Sequence, residues 1–152
     1  MSRPPEVILL IGLPASGKST FFGERFAATH EHVSKDLISR SADKKRRQRA
    51  QIRAALTEGK SVVVDNLNAS REERAEAIDV ARAFGSPVFA YWFRESVADC
   101  RERNSQREGA ANVPLVAIYS AAKRFVVPGL NEGIDRLWMV RLRENGFEVG
   151  EE

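Results

Sequence analysis

Gly12-Leu13-Pro14-Ala15-Ser16-Gly17-Lys18-Ser19 has the spacing G-x-x-x-x-G-K-S and follows the apolar run Val7-Ile8-Leu9-Leu10-Ile11. Such a run reads as a buried strand, and a strand that ends in a glycine-bounded loop and opens into a helix makes a phosphate cradle. Gly12 and Gly17 let the backbone turn its N–H groups toward an anion. Lys18 brings a positive charge to the β- and γ-phosphates, Ser19 offers a hydroxyl to Mg²⁺, and the helix N-terminus adds its partial positive charge. Pro14, Ala15, Ser16 and Thr20 complete the expected nucleotide-binding set. The alternative is a strand–turn–helix with a decorative lysine; the apolar strand directly before the loop favours the phosphate cradle. These residues point to a nucleoside triphosphate.

Other residues could supply the rest of a phosphoryl transfer. In Ser34-Lys35-Asp36-Leu37-Ile38-Ser39-Arg40 the carboxylate of Asp36 is a candidate general base, or else an N-cap for the segment that follows. Arg40 could grip an anionic substrate by a bidentate contact, or could be a solvated arginine. Asp65, at the end of an apolar stretch, stands where a Mg²⁺-water ligand sits beside a phosphate loop, and could equally tie down the turn before Ser70. Arg103 and Arg107 are four apart and share a helical face if the helix persists that far. Placed over a triphosphate they would neutralise charge in cis as a lid over about residues 103–113; the alternative is an exposed, locally paired helix face. Lys44-Lys45-Arg46-Arg47-Gln48-Arg49 is the densest charge run, either a solvated helix face or a track for a phosphate backbone. No aromatic interrupts it, so it gives no support for base stacking. His30 and His32 read as structural, Trp92 and Trp138 as core residues, and Cys100 as a buried helix residue.

The elements that must position these groups alternate between short apolar strands and longer amphipathic stretches. Strands are expected at Val7–Ile11, His32–Ser34, Ser61–Asp65, Val88–Phe93 and Leu137–Leu142. Helices are expected from about Lys18 to Ala28, Ala42 to Thr57, after the Ser70-Arg71-Glu72-Glu73 capping box to Phe84, after Ser96, and from Pro114 to about Phe125. Residues 104–112 read as a mobile loop and 148–152 as a frayed tail. The pattern predicts a single α/β domain: a P-loop NTPase three-layer α/β/α sandwich on an about five-stranded parallel sheet. Right-handed crossovers then put the C-terminal end of every strand on one rim, where Asp36 and Asp65 meet the phosphate loop.

Composition sets wider bounds. The chain has 152 residues, 43% hydrophobic and 30% charged, as an ordinary globular protein does. One cysteine excludes a disulfide framework and a cysteine metal site, and with no signal-like or membrane-length apolar run a cytoplasmic location is expected. A net charge of +3 permits an anionic partner without demanding one. Neither a membrane nor a protein partner is implied.

Three further segments carry a family resemblance. Asp65-Asn66-Leu67-Asn68 with Arg71 and Arg74 resembles the D-N-x-N segment of polynucleotide 5′-kinases. Arg103-Asn104-Ser105-Gln106-Arg107, then Val113-Pro114 and Tyr119, is similar to their R-N-x-x-R lid and V-P helix start. Val127-Pro128-Gly129-Leu130-Asn131-Glu132-Gly133 resembles the P-x-L-x-E-G-F run before their last strand. The resemblance implies transfer of the γ-phosphate of ATP, with Mg²⁺, to a 5′-hydroxyl of DNA or RNA. Lys18, Ser19 and Arg103 would hold ATP and metal, Asp36 would be the base, and Arg103 and Arg107 the lid arginines. The family arginine that grips substrate phosphate falls at Ser39 here, and Arg40 matches with a one-residue slip. Ser41 to Arg49 has no clear counterpart. No D-x-D-x-T phosphatase motif occurs, so a stand-alone kinase is expected. A small-molecule kinase related to the gluconate and shikimate kinases, and an ATP-binding regulatory module acting on a protein, are the competing readings.

Overall fold

The computed structural model describes residues 4–38 and 43–152. Among them, strands β1 (Val7–Ile11), β2 (Glu31–Val33), β3 (Val62–Asp65), β4 (Val88–Phe93), β5 (Arg136–Arg143) and β6 (Gly146–Glu151) form one sheet in the order β2-β3-β1-β4-β5-β6. The first five run parallel, as expected, and helices α1 (Lys18–Arg25), α2 (Lys44–Thr57), α3 (Arg71–Ala83), α4 (Val97–Ser105) and α5 (Leu115–Arg124) cover the sheet. No helix among the described residues is long and apolar enough to cross a membrane.

β1 shows why the sheet is buried on both sides. Val7, Leu9 and Ile11 point into a core with Ile52 and Leu56 of α2 and Ala77, Ile78 and Ala81 of α3. Ile8 and Leu10 point the opposite way, onto Phe21 of α1 and Phe93. Side chains alternate across a strand, so an unbroken apolar run needs cover on both faces. A third, smaller cluster sits under the phosphate loop, where Leu13 and Ala15 meet the buried Cys100 of α4 and Ile118 and Ala121 of α5.

The sheet corrects one expectation. Residues 148–152 are not a frayed tail: most of them belong to β6, which pairs antiparallel with β5, Leu142 opposite Phe147 and Val140 opposite Val149. A two-residue turn, Glu144-Asn145, closes on Gly146, whose φ of 126° favours glycine. Phe147 and Val149 join the α1-side core at period two, and the exposed Glu148 and Glu151 pair with Arg143 and Arg136. The glutamates and glycines around the two apolar residues hide this strand in the sequence. Trp92 and Trp138 are half-buried, Trp92 packing against the α2–α3 side core and Trp138 stacking on Tyr91 with ring centroids 4.8 Å apart.

One buried ion pair fastens the chain after β3 to the turn before β5. Arg74 of α3 is fully buried and meets both carboxylate oxygens of Glu132, at 2.8 and 3.1 Å, while its guanidinium also donates to the carbonyls of Asn68 and Ala69. Glu132 accepts the Gly129 N–H as well. This is the physical content of the paired D-N-x-N and P-x-L-x-E-G segments. Arg74→Met leaves Glu132 charged and unpaired, so it is expected to cost about 3–5 kcal/mol in urea unfolding. The double variant R74M/E132L should lose clearly less than the sum of the two single losses.

Candidate active site

The parallel register brings the site together. Leu10 of β1 lies beside Asp65 of β3, so the loop leaving β1 faces the carboxylate ending β3. The Gly12 N–H donates to the Leu67 carbonyl at 3.0 Å, which ties the phosphate loop to the turn after β3. Gly12 has no room for a side chain: a Cβ there would stand 2.8 Å from Ser16 Oγ and 3.0 Å from Phe93 Cβ. Gly17, with φ of 101°, and Ala15, with φ of 64°, turn the backbone through the left-handed region before α1 begins at Lys18. Pro14 is half-buried on this loop, and Ser16 is buried within it.

The Lys18 ammonium folds back on the loop, donating to the Gly12 and Leu13 carbonyls at 2.8 and 2.9 Å. Burial pushes its pKa down to about 8, against the opposing pull of the Asp65 carboxylate and, more weakly, of Asp36. Both carboxylates therefore lie within electrostatic reach of the amine. Asp65 is itself buried, and its Oδ2 accepts from Ser19 Oγ at 2.8 Å. Among the described residues its carboxylate meets Ser19 and His32 rather than the turn before Ser70, which Asn68 holds, with φ of 48° and its side-chain amide donating to the Leu10 carbonyl at 2.8 Å.

Ser19 and Asp65 bring hard oxygen donors together beside the loop, and no cluster of three or more His, Cys, Asp or Glu side chains that could hold a metal occurs among the described residues. That donor set fits Mg²⁺, which takes one or two protein oxygens and fills its octahedron with water and phosphate oxygens.

Asp36 sits on a short 3-10 turn, Lys35–Leu37, immediately beyond β2. The cap of that turn is Ser34, whose Oγ accepts the Asp36 N–H at 3.2 Å. The Asp36 carboxylate is exposed and has no hydrogen-bond partner among the described residues. Its turn is held in place by Asn66, which accepts the Lys35 N–H at 2.9 Å and donates to buried Gln48 of α2 at 2.6 Å. Arg40 and Ser39 lie outside the described residues.

α4 ends at Ser105, so Arg107 does not continue its helical face; it lies in the turn beyond and donates to the Ala111 carbonyl. Arg103 and Arg107 nevertheless line one cavity of about 340 Å³ beside the phosphate loop, together with Ala15, Gly17, Thr20, Leu142 and Phe147. Arg103 donates to the Ala15 carbonyl at 2.7 Å and pairs with buried Glu95 at 3.1 Å. The segment expected to be loose is fastened at its base: the Asn104 side-chain amide exchanges two hydrogen bonds with Val113, at 2.8 and 2.9 Å.

Three contributors escaped the sequence reading. His32, which the sequence presents as structural, donates from Nε2 to Asp65 Oδ2 at 2.8 Å. Its position near the C-terminal end of a short parallel strand was the available signal. Glu95, just beyond β4, sits between Arg103 and Arg141. Phe147 closes over Gly17 from β6, with its ring 3.1 Å from where a Cβ would stand; the Asn145-Gly146 turn signal pointed to that hairpin.

With this geometry in view, the AAA domain family profile matches residues 7–128. The chain belongs to the AAA domain family. The chain is similar to the bifunctional polynucleotide phosphatase/kinase of Schizosaccharomyces pombe, 32% identical over 136 residues, which is 87% of this chain and 32% of that protein. It thus spans about a third of that relative's length. A fungal RNA kinase structure aligns with a TM-score of 0.68 at 17% identity, over 95% of this chain and 40% of that one. A gluconokinase from Sinorhizobium meliloti 1021 aligns with a TM-score of 0.65 at 21% identity, over 92% and 84%. The fold of this AAA domain is that of the P-loop kinases, as the sequence pattern predicts.

Lys18 makes a prediction independent of any ligand. Its folded-state pKa is depressed from 10.5 to about 8, so between those values the unfolded chain binds the proton that the folded chain has released. Stability then rises with pH across that window, by up to about 3 kcal/mol, relative to a variant without the amine. Urea unfolding of the wild type and Lys18→Met at pH 7.5 and pH 10 checks this: the difference between the two proteins should shift in favour of the wild type at the higher pH.

Proposed function

We propose that this AAA domain transfers the γ-phosphate of ATP to a 5′-hydroxyl of a nucleic acid. On the donor side, the loop amides and Lys18 would hold the β- and γ-phosphates, and the cavity flanked by Phe147 and Leu142 would receive the rest of the nucleotide. Mg²⁺, held by Ser19 and through water by Asp65, would offset charge on the phosphate oxygens. The 5′-oxygen forms a bond to the γ-phosphorus as the bond to the β–γ bridging oxygen breaks. Its proton passes to the Asp36 carboxylate, and ADP leaves. Arg103 and Arg107 would carry the charge that spreads over the transferring group. Arg103 would first give up its contact with the Ala15 carbonyl.

The observation that carries the acceptor assignment is the outer face of α2. Arg46, Arg49 and Arg53 follow one another at i, i+3 and i+7, are exposed, and meet no carboxylate among the described residues; Arg47 is likewise unpaired. Lys45, by contrast, pairs with buried Glu76. Through Gln48 and Asn66 the same helix is bonded to the turn that bears Asp36. Its 14 residues run about 21 Å, long enough for a strand whose 5′ end lies at Asp36 to follow it. A small neutral acceptor would leave these arginines without a purpose. The likeness to a polynucleotide phosphatase/kinase supports the same assignment.

The test is an acceptor panel with γ-labelled ATP: a 5′-hydroxyl oligodeoxynucleotide, its RNA counterpart, a mononucleotide and gluconate. Label is expected on the oligonucleotides, lost with Lys18→Ala and reduced about 10²–10⁴-fold with Asp36→Asn. Label on gluconate instead would establish the small-molecule reading; nucleotide binding without transfer to any acceptor would establish the regulatory one. Replacing Arg46, Arg49 and Arg53 by Gln together should raise KM for the oligonucleotide, leave kcat near its wild-type value and flatten the salt dependence of KM.

A further inference from the structure

We propose that His32 is a positioning residue for the magnesium-facing carboxylate of Asp65; this rests on the reading of the phosphate loop as an ATP–Mg²⁺ site. A carboxylate accepts and does not donate, so the 2.8 Å contact places a hydrogen on His32 Nε2. Asp65 Oδ2 thus takes two hydrogen bonds, from His32 and from Ser19, both 2.8 Å long. Two donors from different elements fix the plane of the carboxylate, where the serine alone would leave it free to pivot. Oδ1 has no hydrogen-bond partner among the described residues. It is not sealed in, because no buried side-chain polar atom among those residues lacks a partner. That oxygen therefore keeps some exposure, and it is free to accept from a metal-bound water.

The histidine is itself held. Its ring stacks on Phe22, with centroids 4.1 Å apart and planes 19° from parallel, and its backbone pairs with Val63 in the ladder between β2 and β3. Phe22 lies one turn beyond Ser19 on α1, so a single helix supplies the metal-ligating hydroxyl and the surface that orients the histidine. His32 is a poor direct ligand: Mg²⁺ takes oxygen donors, and Nε2 is already committed to Asp65. Outer partners that orient first ligands commonly change metal affinity 10–100-fold when removed.

Calorimetric titration of a non-hydrolysable ATP analogue, once with excess Mg²⁺ and once with EDTA, reads this coupling without turnover or acceptor. His32→Phe keeps a ring on Phe22 and removes the donor. It is expected to lose about tenfold or more of the Mg²⁺-dependent gain in affinity, with binding in EDTA unchanged. His32→Asn, whose amide stops short of Asp65, should behave in the same way. His32→Gln, which can place an N–H near the Nε2 position, should restore the gain to within a few-fold. The assignment is overturned if H32F and H32N keep the wild-type gain, if they weaken binding equally in Mg²⁺ and EDTA, or if H32Q does no better than they do. A wild-type protein that binds the analogue equally with and without Mg²⁺ overturns the reading of the loop as an ATP–Mg²⁺ site, and this assignment with it; one that does not bind the analogue at all overturns the nucleotide-site reading.

Discussion

The register between β1 and β3 governs everything on the rim. Leu10 lies beside Asp65, so the backbone that leaves the sheet after Ile11 turns back over that carboxylate, and Ser19 at the start of α1 lands within hydrogen-bond distance of it. A slip of one residue would turn Asp65 to the opposite face of the sheet. Both faces are packed, with Val62 and Val64 in one core and Val63 in the other, which makes such a slip prohibitive. The apolar strands thus locate the chemistry although they take no part in it. Asn68 and the Gly12–Leu67 hydrogen bond then lock the two strand ends together.

Charge is managed around that frame by burial. Lys18 is desolvated and leans on loop carbonyls, an arrangement that costs stability in the empty protein and favours the arrival of an anion. Arg103 is held at the edge of the same loop by Glu95, a carboxylate shared with Arg141. Asp36 stands apart from these pairs. Its turn is anchored by Ser34 and Asn66, yet the carboxylate itself is exposed and has no hydrogen-bond partner among the described residues, which leaves it open to an incoming group.

Much of this was legible in the sequence because it depends on local chemistry. The phosphate loop is a contiguous motif, the Ser70 and Ser96 caps mark helix starts directly, and the apolar runs of β1, β3 and β4 declare a sheet covered on both sides. What escaped depends on contacts between distant segments. The contact of His32 with Asp65 spans 33 residues and arises from the β2–β3 pairing, and the Arg74–Glu132 bridge spans 58. β6 was hidden because only Phe147 and Val149 face inward, and a strand with two apolar residues resembles a polar tail. Helix persistence to Arg107 failed for a nearer reason: Asn104 turns its side chain to Val113, and the chain leaves the helix to meet it.

The central claim is geometric: a nucleic-acid 5′-hydroxyl meets Asp36 across the γ-phosphate position from the phosphate loop. A crystal structure with ADP, Mg²⁺ and a short 5′-hydroxyl oligonucleotide tests it most directly. The account predicts the 5′-oxygen within about 2.6–3.2 Å of an Asp36 carboxylate oxygen, with the strand leaving along the arginines of α2. An oligonucleotide bound with its 5′ end away from Asp36, or a terminus held by other residues while Asp36 faces solvent, would contradict it.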